Sequence, residues 1–193
     1  MAVNPFNLAD GQRAERKLLI TVAEWTEMVE PSGGGTPVAT QMREILGTRT
    51  EDSSIDYNVD IETTTDIRGN NYTDVNKSQP QQEFGTYLVL GGSKLGPKLN
   101  DIRKRNALSE LSQFTIYVIT AYIGDATNGY EAERHTKCTI SYESLGGDTN
   151  VNFPITIYLS NMDDTTTATA ALGHAGIGTV DKLAEDFTFT LDV

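Results

Sequence analysis

The sequence predicts a mainly β fold, an antiparallel sandwich or barrel with one flanking α-helix and long loops. Segments of alternating or continuous apolar residues recur along the chain, and glycine- and asparagine-rich turns separate them. One further segment spaces leucine and isoleucine as a helix does. The 193 residues fit one domain. We therefore expect a single domain over 1–193, with a flexible N-terminal region and extended loops at about 31–37 and 79–96.

In the first half of the chain, residues 16–25 predict a strand, whereas residues 38–48 are ambiguous between helix and strand. Residues 54–68 alternate with a period of two, which predicts one strand of about 45 Å. One face of this strand is expected to be buried, and the other face is expected to be acidic. The apolar or threonine positions are Ile55, Tyr57, Val59, Ile61, Thr63, Thr65 and Ile67.

In the second half, Leu99, Ile102, Leu108 and Leu111 recur at three- and six-residue steps, which predicts a helix within residues 96–114. Residues 114–124 are β-branched and aromatic on both faces, which predicts a central strand. Asn128-Gly129 predicts a hairpin turn, followed by a returning strand. Two further strands are expected at 153–160 and 186–193. The inward residues would be Phe153, Ile155, Ile157 and Leu159 in the first, with Phe187, Phe189 and Leu191 sharing one face in the second.

The formal net charge of −12 disfavours nucleic-acid binding, because a basic patch is the usual footprint of that function. The basic residues within the predicted helix are interpreted as a solvated face. A single cysteine, Cys138, excludes an internal disulfide framework and a four-cysteine zinc site. No apolar run approaches a membrane span, and the first residues lack the apolar core of a signal peptide. Synthesis in a cytoplasm is therefore the default expectation.

Motifs for catalysis and ligand binding are weak. Residues 91–98 space two glycines as a phosphate loop does, but Pro97 stands where lysine is needed. Residues 56–67 begin like a calcium loop, but Ile67 replaces the bidentate glutamate. His135 and His174 are the only imidazoles, and no nucleophile elbow accompanies them. We predict no catalytic, cofactor or metal site, and no enzyme.

Several segments in order resemble the major tail tube proteins of long-tailed (siphovirus-type) bacteriophages. They are "TDIRGNNYTDVNKSQPQQEF", the helix, "FTIYVITAYIG", "EAERHTKCTIS" and "SLGGDTNVNFPITIYLS". The resemblance covers about residues 51–160. After Ser160 the sequence departs from the family, being acidic and threonine-rich, and shows no obvious strand until its end.

The resemblance implies a β-sandwich or barrel in rings of six subunits that stack into a hollow tube for DNA. Sheets would join edge to edge, and loops or an N-terminal arm would bridge rings. The implied partners are copies of the chain and the tape measure, tail terminator and tail tip proteins. DNA would pass without adhesion, no membrane is involved, and the location is the virion tail after assembly in the host cytoplasm. The first alternative is a head decoration or tail-completion protein of the virion. The second is a carbohydrate-binding β-sandwich.

Acidic residues on the predicted long strand suit a channel wall, because like charge keeps DNA from adhering. Asp60, Glu62 and Asp66 are the candidates, although the same carboxylates also suit an ordinary solvent-facing side. Turn residues are interpreted as architecture, with Gly146 and Gly147 supplying positive φ and Asp148 bonding its own turn. Candidate contacts between subunits are Gly33, Gly34, Gly35, Gly91, Gly92 and Leu145.

Overall fold

The computed structural model describes residues 8–9, 11–47, 50, 53–75, 79–146, 151–160 and 176–191. These residues are mainly β with one α-helix, which confirms the predicted fold class. The strands are β1 (Leu19–Val29), β2 (Val38–Ile45), β3 (Ile55–Asp56), β4 (Ile61–Thr65), β5 (Asn71–Val75), β6 (Gln81–Phe84), β7 (Phe114–Asp125), β8 (Gly129–Tyr142), β9 (Ile155–Tyr158), β10 (Gly176–Val180) and β11 (Phe189–Leu191). The helix α1 spans Leu95–Arg105. The predicted N-terminal region lies largely outside the described residues.

Nine of the described strands form one antiparallel sheet, in the order β2-β1-β7-β8-β9-β6-β3, with β10 and β11 branching from β8. The predicted central strand is confirmed as β7, which lies between β1 and β8. The register of β7 and β8 shifts next to Lys137, whose φ is 54°. A bulge bends its strand, and this one divides β8 into two segments. The first pairs with β10 and the second pairs with β9.

The sheet carries a hydrophobic cluster on each of its faces. Alternate side chains of a strand point to opposite faces, so Ala23 and Trp25 join the larger cluster while Val22 joins the smaller. Helix α1 packs on the larger cluster through Leu95, Leu99 and Ile102. The four inward residues predicted for 153–160 are buried there as well. The smaller cluster includes Phe187, with Phe189 packed against it.

Some predicted boundaries are wrong. The helix ends at Arg105 rather than continuing to residue 114, because Asn106 adopts a left-handed conformation with φ 52°. Beyond it, Leu108 is exposed at the start of a 3₁₀ turn. The expected loop at 79–96 contains β6 and the first residues of α1, and the ambiguous segment 38–48 contains β2. Strand β10 was not predicted.

The single long strand predicted for residues 54–68 is also wrong. The structure has the short β3 and the separate β4, and Asn58 between them has a φ of 43°. The predicted buried face is largely exposed, as Val59 and Ile61 show. Alternation identifies side chains that share a face, but it does not establish that another layer covers that face.

Gly124 is expected to tolerate no side chain. Its φ is +96°, and a Cβ there would lie 2.1 Å from the carbonyl oxygen of Gly129. Left-handed strain and overpacking together predict a loss of about 2 to 3 kcal/mol in the free energy of unfolding for Gly124→Ala. Gly85→Ala is the matched control, because no atom lies within 4 Å of a Cβ at that position. Equal urea denaturation midpoints for the two variants would contradict the prediction.

Candidate functional site

Of the residues considered for catalysis, those that the structure describes make structural contacts. His135 is buried, and its Nδ1 lies 2.6 Å from the carbonyl oxygen of Ser160. Its Nε2 lies 3.2 Å from a carboxylate oxygen of Glu133. Both ring nitrogens thus face acceptors within the protein. His174 lies outside the described residues.

The cysteine is also a core residue. Cys138 packs in the larger cluster, and burial raises the pKa of its thiol to about 11. A thiol with that pKa is almost entirely protonated at neutral pH, and the thiolate is the nucleophilic form. Among the described residues, no group of three or more His, Cys, Asp or Glu side chains is placed to hold a metal ion.

Residues 57–75 form a two-stranded segment that is separate from the large sheet, and we call this segment the ribbon. Its strands β4 and β5 pair with each other, and no other described strand pairs with either. Side chains along it are exposed, including Ile61 at 60% and Tyr72 at 53%. A two-stranded sheet alone is marginally stable in water. The ribbon therefore presents apolar groups that a covering layer would stabilise.

The two faces of the ribbon differ in charge. Strand register places Glu62 opposite Asp74, and Thr64 opposite Tyr72. These four residues form what we call the acidic face. Like charges directly opposite each other destabilise a strand pair. The opposite face of β4 carries Ile61, Thr63 and Thr65.

Asp66, one of the three residues predicted for a channel wall, organises the turn of the ribbon. Its carboxylate accepts hydrogen bonds from the backbone N–H groups of Arg68 and Asn70 at 2.8 and 2.9 Å. It also accepts from the Asn70 amide and the Tyr72 hydroxyl. The hydrogen bonds, that from the Asn70 backbone foremost, lower the pKa of Asp66. Asp60, just before β4, and Glu62 are both exposed.

The ribbon joins the sheet through a narrow root. The backbone N–H of Gln79 donates to the carbonyl oxygen of Tyr57 at 3.1 Å, and the Asn58 amide donates to the carbonyl oxygen of Gln79. The Tyr57 side chain lines a groove of about 380 Å³ with Tyr122 and Glu133. Burial, followed by the charge of Glu133, raises the pKa of Tyr57. The root anchors one end of the ribbon, and beyond it β4 and β5 pair with each other and with no other described strand.

The glycines and the leucine predicted to contact other subunits lie on three loops. Residues 33–35 lie in the exposed loop between β1 and β2. Gly91 and Gly92 lie on one segment, and Leu145 lies on another. Isolated β-bridges bring these two segments together, since Leu88 and Gly146 each bridge to Asn152. All six are exposed. Gly147 and Asp148 lie outside the described residues.

Glu44, on β2, holds the N-terminal end of α1. Its carboxylate accepts hydrogen bonds from the backbone N–H groups of Lys94 and Leu95, the latter at 2.8 Å. It also accepts from the hydroxyls of Tyr87 and Ser93. The first N–H groups of a helix have no partner within it, and a negative charge there is favourable. Burial, followed by the bond to Glu44, raises the pKa of Tyr87.

The other end of α1 is basic. Lys98 and Arg105 both pair with Glu110, each at 2.8 Å. Arg103 and Lys104 are exposed, and in the described part of the chain no carboxylate pairs with either. The predicted solvated basic face therefore divides into two paired cations and two that lack an acidic partner in these residues.

The Glu110 contacts predict an acid-sensitive contribution to stability. The hydrogen bond from Arg105, followed by that from Lys98, lowers the pKa of Glu110 from 4.5 to about 2. Such a carboxylate stabilises the fold above its unfolded pKa, and the contribution is lost as pH falls through the folded pKa. We expect the melting temperature to fall between about pH 4.5 and 2, and Glu110→Gln to remove part of that fall. Glu143→Gln is the exposed control, and identical acid profiles for both variants would contradict this.

Sequence reasoning missed both Glu44 and the isolation of the ribbon. Glu44 caps a helix that begins about fifty residues later, and no local pattern predicts such a contact. The turn of the ribbon was predicted from the sequence, because Gly69-Asn70-Asn71 lies between two segments rich in β-forming residues.

No protein-family model matches the chain, and no curated protein matches it. None of the described helices is long and apolar enough to cross a membrane. A function for the chain is therefore inferred from its own residues and geometry.

Proposed function

We propose that the chain is a structural subunit of a bacteriophage tail tube. Copies form rings, and the rings stack into a channel for passage of the genome into the host. The order of segments within residues 51–160 supports this, since it resembles the tail tube family. A mainly β fold with one helix packed on the sheet agrees with that resemblance.

One observation carries the proposal: the ribbon is exposed on both faces and pairs with no other described strand. Exposed apolar groups on a marginally stable element favour a partner that covers them. In an assembly of identical copies, each subunit both extends a ribbon and receives one. A chain with this shape gains its missing contacts by association with itself.

An open border of the sheet supports ring formation in the same way. Strand β2 is a border strand, and no described strand pairs with its outer side. Val38, near the loop, is exposed opposite Val29. Unpaired backbone groups on a border strand invite pairing with another chain. Closure of several copies into a ring would use those groups and leave no free border.

Net charge supports passage of DNA without adhesion. A formal charge of −12 repels phosphates within a Debye length of about 8 Å at physiological salt. In the assembled virion tail, the subunit would also meet tape measure, tail terminator and tail tip proteins. The assignment of Asp60, Glu62 and Asp66 to the channel depended on one long strand in its wall, and it stays a prediction.

Electron microscopy and analytical ultracentrifugation of the purified chain over a concentration series test this function. We expect species that grow with concentration and appear as stacked rings with a central channel. Monomers or small closed oligomers at every concentration would overturn the proposal. Binding of such monomers to filled capsids would favour a head decoration protein instead.

A further inference from the structure

The turn that joins β7 to β8 contains a chemically labile pair of residues. Asn128 is exposed, and of the asparagines in the sequence it alone precedes a glycine. Asparagine is among the thermolabile residue types. The backbone nitrogen of the following residue attacks its side-chain carbonyl carbon, and glycine hinders that approach least because it has no Cβ. Asn128 is therefore the asparagine of this chain most prone to lose its amide.

The fold requires the glycine of this pair. Gly129 has a φ of +89°, and a Cβ there would lie 3.1 Å from the carbonyl oxygen of Val180. The left-handed backbone and this close approach both disfavour a side chain. Gly129 also forms the first pair of the hairpin, opposite Asp125. The hairpin thus keeps a glycine after Asn128, although that glycine makes the asparagine reactive.

Asp125 holds the side chain of Asn128. One carboxylate oxygen of Asp125 accepts hydrogen bonds from the backbone N–H groups of Thr127 and Asn128 at 2.7 and 2.9 Å. The other oxygen accepts a hydrogen bond from the side-chain amide of Asn128 at 3.0 Å. These bonds, that from the backbone of Asn128 foremost, lower the pKa of Asp125, so its carboxylate is a charged acceptor at neutral pH. The amide nitrogen, which is the leaving group in deamidation, is therefore bonded to Asp125 in the folded chain.

We propose that Asn128 is a site of spontaneous deamidation and that Asp125 slows the reaction by holding the Asn128 side chain. In this reaction the backbone nitrogen of Gly129 forms a bond with Cγ of Asn128. Ammonia leaves with the side-chain nitrogen and the proton that the Gly129 nitrogen gives up. The resulting succinimide takes up a water molecule and opens to aspartate or isoaspartate. The planar amide must turn toward Gly129 and become tetrahedral, so its bond to Asp125 has to break first.

Both products of the reaction loosen the hairpin turn. The aspartate product has a carboxylate oxygen in place of the amide nitrogen that lies 3.0 Å from Asp125. Like charges at such a distance disfavour each other. Isoaspartate instead adds a methylene group to the backbone between the paired residues Asp125 and Gly129. Deamidation of Asn128 therefore weakens the connection between two adjacent strands of the large sheet.

Peptide mapping by mass spectrometry tests the site in the full-length chain, incubated at neutral pH in buffer and in urea. In urea, Asn128 is expected to convert faster than any other asparagine. In the folded chain its conversion is expected to be slower by about fivefold or more, through the bond to Asp125. Asn70 is the internal control, because its amide also bonds a carboxylate, that of Asp66, but Asn71 follows it. Conversion of Asn70 in urea as fast as that of Asn128 would overturn the site.

Two variants test the role of Asp125. When folded, Asp125→Ala is expected to convert Asn128 about fivefold faster than the unaltered chain, and Asp125→Asn, which keeps an acceptor oxygen, is expected to lie between them. In urea all three are expected to convert equally, because the folded turn is absent. Melting curves establish that each variant is folded at the incubation temperature, and Asp125→Asn serves if Asp125→Ala is not. Equal rates of the folded chains would overturn the role of Asp125.

The effect of the product is measured with Asn128→Asp, which reproduces the aspartate form. Its melting temperature is expected to be lower than that of Gln41→Glu, which adds the same charge at an exposed position on β2. Equal melting temperatures for these two variants would overturn the predicted loosening of the turn.

Discussion

Replacement of residues 62–74 by Asn-Gly is expected to abolish tube stacking and to leave the subunit folded. Ile61 and Val75 are direct cross-strand partners, and Asn-Gly forms the two-residue turn that closes such a pair. The nine-stranded sheet keeps its hydrogen bonds, because the described part of β4 and β5 pairs only within the ribbon. Electron microscopy measures stacking, and urea denaturation measures the free energy of unfolding, which we expect to change by about 0.5 kcal/mol or less.

A full-length variant serves as the control for the shortened chain. Thr63→Ala with Thr73→Ala changes the face opposite the acidic face, so its tubes are expected to form normally. Tubes from the shortened chain at the concentration that the intact chain needs would contradict the role of the ribbon. A large loss of stability in the shortened chain would show that the ribbon supports its own subunit.

Glu44→Ala is expected to lower the free energy of unfolding by about 3 kcal/mol, because two buried and two half-buried donors lose a charged acceptor. The affected donors are the N–H groups of Lys94 and Leu95 and the hydroxyls of Tyr87 and Ser93. The contact also ties α1 to a border strand. In a chain of this size, such a loss lowers the melting temperature by roughly 6 to 12 °C. Calorimetry and urea denaturation measure the effect.

Two further variants separate the hydrogen bonds of Glu44 from its charge. Glu44→Gln keeps the shape and one acceptor oxygen, so an intermediate loss is expected. Glu143→Ala removes an exposed glutamate and is expected to change stability by about 0.5 kcal/mol or less. If Glu44→Ala behaved like Glu143→Ala, the proposed capping role would be wrong.

Strands with two buried faces were the most predictable part of the fold. Residues 114–124 have β-branched and aromatic side chains on both faces, and β7 has a core on each side. The hairpin turn is specified locally at residues 126–128, because the carboxylate of Asp125 accepts hydrogen bonds from the N–H groups of Thr127 and Asn128 just before β8 begins at Gly129. Where short-range chemistry and burial agree, the pattern alone predicts the element.

Residues 54–68 show where a pattern is insufficient. Val59 and Ile61 alternate with polar residues as a half-buried strand requires, yet both are exposed. Asn58 lies in the left-handed region, and beyond it β4 pairs with β5 rather than with a strand of the large sheet. Period two is a property of extended backbone, whereas burial depends on a second layer that the same residues do not encode.

The candidate site was partly predictable for the same reason. The acidity of Asp60 and Glu62 is visible in the sequence, but their place on the ribbon is not. The hydrogen bonds by which Asp66 organises the turn were not predicted, and its place in a channel wall stays a prediction. Lys98 and Arg105 are paired, whereas Arg103 and Lys104 have no acidic partner in the described residues. This difference depends on the position of Glu110 after the helix.

The sequence by itself determined the fold class, the central hairpin of β7 and β8, and the strongly acidic character of the chain. These follow from local backbone preference, side-chain alternation and composition. Only the tertiary structure decided that the ribbon pairs with no other described strand and that Glu44 caps α1. Such features depend on contacts between distant residues, whose free energies are set by burial and geometry rather than by neighbouring sequence.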